Sequence, residues 1–268
     1  MYKKEQLLRD TGVFVLGLEG TLVSGGCLVE GVPEFLEAVR QTKREFLIYT
    51  NQNDLSGTMC KKLLEELGCD VPVERILTSA EVALRYLKSR EAGKGVYLIG
   101  PPAMEELFAE AGVHLTEDAP DLVVVGTDCT FTYEKPKKAC GFVSGGAGFL
   151  ATGAEPFFKR DGQQVPDSGA ICAAITAVTG KQPTVLGLPT KEAVEIISDY
   201  TGIRTDYMTF VGDRLDVEVA AGTRNGLMGF LVLTGETALE DVFEARRKPD
   251  LIFGSVKEMG DIMRSWIM

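Results

Sequence analysis

Val13-Phe14-Val15-Leu16-Gly17-Leu18-Glu19-Gly20-Thr21-Leu22 joins an unbroken apolar run to a glycine-bearing segment. A short run without polar alternation reads as a strand buried on both faces, the habit of parallel sheets. Similar runs lie at residues 46–49, 96–99, 122–125, 184–186, 208–211, 229–233 and 250–253. Amphipathic stretches separate them, with helices predicted over 33–43, 55–67 after Asp54 as N-cap, 80–90 after Ser79, and 191–200 after Thr190. Strands alternating with helices define an α/β fold: a Rossmann-like, doubly wound parallel sheet. Residues 79–183 contain a strand and helix series of their own and are predicted as an inserted α/β domain, leaving 1–78 and 184–268 to build one discontinuous core.

The chain has 268 residues, 45% hydrophobic and 25% charged, which suits a globular protein of one large domain or two ordinary ones. Asp and Glu number 39 against 28 Lys and Arg, a formal net charge of -11. That charge repels phosphate backbones and anionic bilayers, so neither nucleic acid nor membrane is an expected partner. The opening MYKKEQLLRD has no apolar signal-peptide core, and no apolar run approaches the ~20 residues needed to cross a bilayer, so a cytoplasmic location is expected. The six cysteines (27, 60, 69, 129, 140, 172) form no CxxC pair, which argues against structural zinc and a dense disulfide framework and for buried thiols in a reducing compartment. His114 is the only histidine, so any mechanism needing two is excluded; it is expected on the surface or at a strand edge.

In a doubly wound sheet the loops at the carboxyl ends of the strands converge. Those loops read GLEGTL (17–22), TNQN (50–53), GLPTK (187–191) and GDRLD (212–216). In this order they resemble the motifs of the haloacid dehalogenase (HAD) superfamily of phosphatases. The stretches VVVGTDCTFTYEK (123–135), GGAGFLATGAEP (145–156) and SGAICAAITAVTGKQP (168–183) narrow the likeness to the NagD-type and 4-nitrophenyl-phosphatase-type proteins, whose α/β cap is inserted between the second and third motifs. The resemblance covers nearly the whole chain. It implies hydrolysis of a small phosphorylated metabolite through an aspartyl-phosphate, with Mg²⁺.

Carried over residue by residue, the resemblance also exposes departures. The nucleophilic aspartate position is Gly17, which offers neither nucleophile nor metal ligand. Glu19 stands where the family has its general acid and base. Thr50 matches the hydroxyl that holds a phosphoryl oxygen, with Asn51 alongside. The clamping lysine of the third motif is Leu188, and Lys191 lies three residues on. Asp213 matches the metal-binding aspartate, and Glu218 replaces a second aspartate, with Asp216 between them. The implied protein ligands for Mg²⁺ shrink to Asp213 and the Glu19 carbonyl, so binding is expected to be weak or absent without a phosphorylated ligand. Nucleophile, acid and clamp are altered together, and impaired or absent phosphatase activity is the expectation. Two alternatives stand beside it: rearranged hydrolysis by Glu19 and Lys191, or a non-catalytic binding or regulatory module.

Elsewhere the readings are structural. Gly145 to Gly148 form a turn, and Gly153 and Glu155 replace the Asn and Asp of the cap motif. Asp128, Phe131 and Tyr133 are expected to pack within the cap. The run EDVFEARRK (240–248) reads as a solvated helix face. Trp266 packs on the core, the alternative being a homodimer contact through the Ile-Met-Trp surface.

Overall fold

A computed structural model describes residues 2–52, 55–160 and 163–267. The chain opens with α1 (Tyr2–Asp10), β1 (Val13–Gly17), the short strands β2 (Val23–Ser24) and β3 (Cys27–Leu28), α2 (Val32–Gln41), β4 (Glu45–Thr50), α3 (Gly57–Glu66) and β5 (Ile76–Thr78). It continues through α4 (Ser79–Arg90), β6 (Gly95–Ile99), α5 (Pro102–Glu110), β7 (His114–Leu115), β8 (Leu122–Val125), α6 (Glu134–Gly145), β9 (Gly148–Ala151), β10 (Phe157–Arg160), β11 (Gln163–Pro166), α7 (Ser168–Thr179), β12 (Thr184–Val185) and α8 (Lys191–Thr201). It closes with β13 (Met208–Gly212), α9 (Glu218–Arg224), β14 (Met228–Val232), α10 (Leu239–Glu244), β15 (Leu251–Phe253) and α11 (Val256–Arg264).

The chain divides into two compact units: Met1–Thr50, Gly57–Leu77 and Ile197–Met268 make the first, Asn51–Ser56 and Thr78–Ile196 the second. The first holds a six-stranded sheet in the order β15-β14-β13-β1-β4-β5. β1 pairs parallel with β13 (Val13↔Met208) on one side and with β4 (Val13↔Glu45) on the other. Strand order runs outward from β1 in both directions, so the topological switch lies at its carboxyl end. Every residue of β1 is buried. Phe14 meets Phe35 of α2 edge-on, with ring centroids 5.8 Å apart.

The second unit holds a five-stranded sheet in the order β12-β9-β8-β6-β7, with each registered pair parallel. Alternate residues of β8 serve opposite faces. Val123 and Val125 pack with Ala139, Val143, Ile171 and Ile175 of α6 and α7. Leu122 and Val124 pack with Ala83, Leu87, Met104 and Phe108 of α4 and α5. No helix among the described residues is long and apolar enough to cross a membrane.

The apolar runs named from the sequence all became strands, but one changed sheets. The run at 184–186, assigned to the core, is β12, and its Thr184 pairs with Leu150 of β9, so the second unit extends past residue 183 to Ile196. Helix starts shifted too. Ser79 is the first residue of α4 rather than its cap; Thr78 takes that role, its hydroxyl accepting from the Glu81 amide at 3.3 Å while the Glu81 carboxylate accepts from the Thr78 amide at 2.7 Å. Asp54 lies outside the described residues, and α3 begins at Gly57. The 240–248 run is helical only to Glu244; beyond it Lys248 Nζ donates to the Phe243 carbonyl at 2.8 Å, closing the helix end instead of lying on its face.

Phe131 and Tyr133 do not pack: Tyr133 is 81% exposed. Asp128 organises that loop instead, with its buried carboxylate accepting from the Thr130 amide at 2.8 Å and from Lys135 Nζ. His114 is exposed on the edge strand β7, as expected. Gly146 ends α6 with φ 111, the turn expected of the glycine cluster. Trp266 is stacked by the guanidinium groups of Arg9 and Arg44, at 4.3 and 5.1 Å from the ring.

All six cysteines are free thiols, but only Cys60, Cys69 and Cys172 are buried as expected; Cys140 is half-buried, and Cys27 and Cys129 are exposed. Burial, and then the charge of Asp167, pushes the Cys172 thiol up to about 12, whereas Cys27 is exposed. A raised thiol holds its proton at pH 8, and the thiolate is the nucleophile. Iodoacetamide at pH 8 should therefore alkylate Cys27 and spare Cys172 until the protein is denatured. Peptide mass spectrometry showing equal native labelling of the two would contradict this packing.

Candidate active site

In the first unit the site is built where β1 and β13 end. Gly17 closes β1, and the chain then turns tightly, the Leu22 amide donating to the Leu18 carbonyl at 2.9 Å and the Gly20 amide to Val23 O at 2.7 Å. Thr50 closes β4, buried, one residue past the Gly17↔Tyr49 pair. β13 delivers Gly212 and then Asp213, which is 4% exposed. The Asp213 carboxylate accepts from the Glu236 amide at 2.6 Å. A Cβ at Gly20 or at Gly235 would run into that carboxylate, and Gly20 has φ +73, so both positions need glycine.

Burial raises the Asp213 pKa despite its hydrogen bond. Glu19 is exposed by area, yet crowding of its carboxyl, and after that the charge of Asp213, raises its pKa as well. A carboxyl held above its ordinary range is suited to carrying a proton rather than to attacking as an anion. Arg214 is engaged beside them, 3.4 Å from Asp216 and 3.7 Å from Glu236.

Glu218 is the first residue of α9, and its side chain lies over Gly212, where any Cβ would collide with it. Its Oε1 comes within 3.3 Å of the point a Cβ at Gly17 would occupy, and Thr21 Oγ1 lies 2.9 Å from the same point. Thr21 is 0% exposed, and its hydroxyl is among the buried side-chain polar atoms without a hydrogen-bond partner. An unpaired buried hydroxyl is destabilising by about 1–3 kcal/mol. Thr21→Val, near in shape, should then raise the melting temperature by about 2–4 °C for each kcal/mol recovered. A lower melting temperature in calorimetry would show that the hydroxyl is satisfied.

In the second unit Asn51 is the hub. Its amide nitrogen donates to Glu155 Oε1 at 2.6 Å and to the Leu188 carbonyl at 3.1 Å, and its own carbonyl accepts from Ser79 Oγ at 2.7 Å. A Cβ at Gly153 would stand 2.6 Å from Glu155 Oε2, so the bare residue 153 gives Glu155 room to fold inward. Leu188 is 1% exposed and presents only its main chain to Asn51. The Thr190 hydroxyl accepts from the Ala193 amide at 3.3 Å, capping α8. Lys191 follows, with its side chain 77% exposed and paired with Glu195 at 3.4 Å.

The structure thus gathers Gly17, Glu19, Thr21, Asp213 and Glu218 in one unit and Asn51, Glu155 and Leu188 in the other. Glu155 as a partner of Asn51 was not foreseen from sequence. The available signal was the paired change at 153 and 155, a lost side chain next to a lengthened acid. Among the described residues no three His, Cys, Asp or Glu side chains cluster as a metal site. The hard oxygen donors present still fit a magnesium ion, which takes one or two carboxylates with carbonyl and water oxygens; the orphaned Thr21 hydroxyl marks polar room for such a ligand.

A doubly wound parallel sheet that gathers carboxylates and a buried hydroxyl at its switch point has them where such sheets bind ligands. A family model described as haloacid dehalogenase-like hydrolase matches residues 14–114, and a HAD-hydrolase-like model matches 185–259. The structure of a 4-nitrophenylphosphatase from Thermotoga maritima is similar with TM-score 0.91 and 35% identity, covering 95% of this chain and 98% of that one. The ribonucleotide monophosphatase NagD of Escherichia coli K12 is 29% identical over 245 residues, covering 91% of this chain and 96% of its own. A glycerol phosphate phosphatase from Mycobacterium tuberculosis, solved in complex with magnesium, has TM-score 0.85 and 26% identity, with 95% of this chain and 78% of that one covered. The chain belongs to the HAD superfamily, in its NagD-like branch of capped phosphatases.

Proposed function

We propose that this chain keeps the phosphoryl-binding architecture of its family but has lost conventional turnover through an aspartyl-phosphate. The bare Gly17 at the end of β1 carries this reading, because no carboxylate leaves β1 to attack phosphorus. Leu188 supplies no ammonium, and Lys191 would have to give up Glu195 to replace it, which speaks against the rearranged alternative. What remains can bind: the Thr50 hydroxyl for a phosphoryl oxygen, and Asp213 with the Glu19 carbonyl for magnesium, which when bound would offset the charge of a phosphorylated small metabolite. These family positions alone make cation binding weak. Desolvation, and then the charge of Asp213, raises the Glu19 carboxyl above its ordinary range, which favours the role of proton donor. The free thiols and the net charge of -11 suit a cytoplasmic metabolite binder.

Purified protein with p-nitrophenyl phosphate and MgCl₂ tests the proposal. The expected rate is at least about 10³-fold below that of an intact family member under the same conditions, given what single lost groups cost in such sites. Brisk turnover that Asp213→Ala abolishes would refute it.

A further inference from the structure

Three guanidinium groups share one surface cleft of the first unit. Val219 of α9 and Val242 of α10 pack together with Leu231 of β14, which sets the end of α10 beside α9. Arg224 stands in the last turn of α9, and Arg246 and Arg247 follow the end of α10. All three line a cleft of about 400 Å³, with Leu215 and Ala220 as apolar wall and Asp216 as the single acid among the described lining residues. That acid is already engaged, 3.4 Å from Arg214. Arg247 donates to the Thr223 carbonyl at 3.1 Å, which fixes the loop against the last turn of α9. The side chains of Arg224 and Arg246 make no hydrogen bond or ion pair among the described residues. A cation in the last turn of a helix is favoured by the helix dipole, which accounts for Arg224 by itself. It does not account for three around one cleft: like charges gathered there repel, and in a chain of net charge -11 acids are the commoner surface neighbours. None of Gly17, Glu19, Thr50 and Asp213 lines the cleft, so it is separate from the site at the switch point.

We infer that this cleft is an anion site for a diphosphate group, either free or borne by a small metabolite. Planar guanidinium forks bind phosphate oxygens in pairs and stay charged at any working pH. A phosphomonoester brings a charge of only about -1.5 to -2, which leaves one of the three cations unmet, whereas two linked phosphates meet all three. The volume lies within the roughly 300–1,000 Å³ of ordinary small-ligand pockets. No aromatic ring is among the described lining residues, so charge carries the recognition. The basic end of the 240–248 run then forms the rim of a site rather than a solvated face. This inference uses none of the residues at the switch point and stands apart from the reading of that site.

The test is isothermal titration calorimetry of the full-length protein with sodium pyrophosphate in EDTA, on the parent, Arg224→Gln, Arg246→Gln, the two together, and Thr50→Val. EDTA keeps divalent cations from carrying the anion to the switch point. The parent is expected to bind pyrophosphate, and to bind inorganic phosphate about tenfold or more weakly by comparison. Each glutamine variant should weaken pyrophosphate binding about tenfold and the double variant about 100-fold, while Thr50→Val should match the parent. Affinity should fall as NaCl is added, because the three arginines are exposed. Melting curves establish that each variant is folded. A parallel titration with ADP separates the two sources: tighter ADP identifies a metabolite-borne group and tighter pyrophosphate the free anion, and both satisfy the assignment. No pyrophosphate binding by the parent, equal affinity for phosphate and pyrophosphate, full affinity in the folded double variant, or loss of binding in Thr50→Val would each overturn it.

Discussion

Gly17→Asp, Leu188→Lys and Glu218→Asp introduced together should raise p-nitrophenyl phosphate hydrolysis by about 100-fold or more over the parent, the scale on which single electrostatic groups act in such sites. Gly17→Asp with Leu188→Lys alone should fall short of the triple variant by about tenfold or more, since a misplacement of about 1 Å is already expensive. The cause of the shortfall is local. A Cβ at position 17 stands 2.9 Å from Thr21 Oγ1 and 3.3 Å from Glu218 Oε1, so the new aspartate would compete with Glu218 for one slot and repel its charge. Shortening residue 218 by one methylene vacates that slot. Steady-state kinetics on the three proteins decide the matter: equal rates for the double and triple variants would mean that Glu218 does not hold the place of the lost acid.

Phe14→Ala should be among the most damaging single truncations in the first unit. Phe14 is fully buried in the strand from which the sheet winds both ways, and its ring meets Phe35 of α2. Emptying such a position is destabilising by about 3–5 kcal/mol, which corresponds to a fall in melting temperature on the order of 10 °C. Circular dichroism melting measures it. A loss below about 3 °C would show that α2 collapses into the gap, and that the sheet and helix are less firmly interlocked than the edge-on ring contact indicates.

Much of this was legible in the residues because buried parallel strands write themselves as apolar runs. β1, β4, β6, β8, β13, β14 and β15 each carry one. β5, β7 and β12 have three, two and two residues, too short to hold a period, and β12 also shows that a run cannot reveal which sheet it will join. The loops were legible through chemistry: Gly17 and Leu188 stand out because the lost groups have no substitute of the same kind. Lys191 was tied to its helix by Thr190 in the sequence, and the pairing with Glu195 agrees with that. What the sequence concealed were long-range pairs. Residue 218 reaches position 17 only because β13 lies beside β1, and Glu155 reaches Asn51 only through the folding of the second unit. In both pairs a glycine clears the path for a longer acid, a pattern invisible until the partners are placed.

The division of the chain has a practical corollary. Its boundaries fall at 50/51, 56/57, 77/78 and 196/197, so the polypeptide passes from one unit to the other four times. One proteolytic cut at any of these junctions severs the chain but leaves strands of the six-stranded sheet on both pieces, so strand pairing rather than a covalent link must hold them together. A fragment spanning 79–183 would lose the closing segment with Lys191 and the capping residue Thr78, and circular permutation would have to open a surface loop well inside either unit to leave every tether whole.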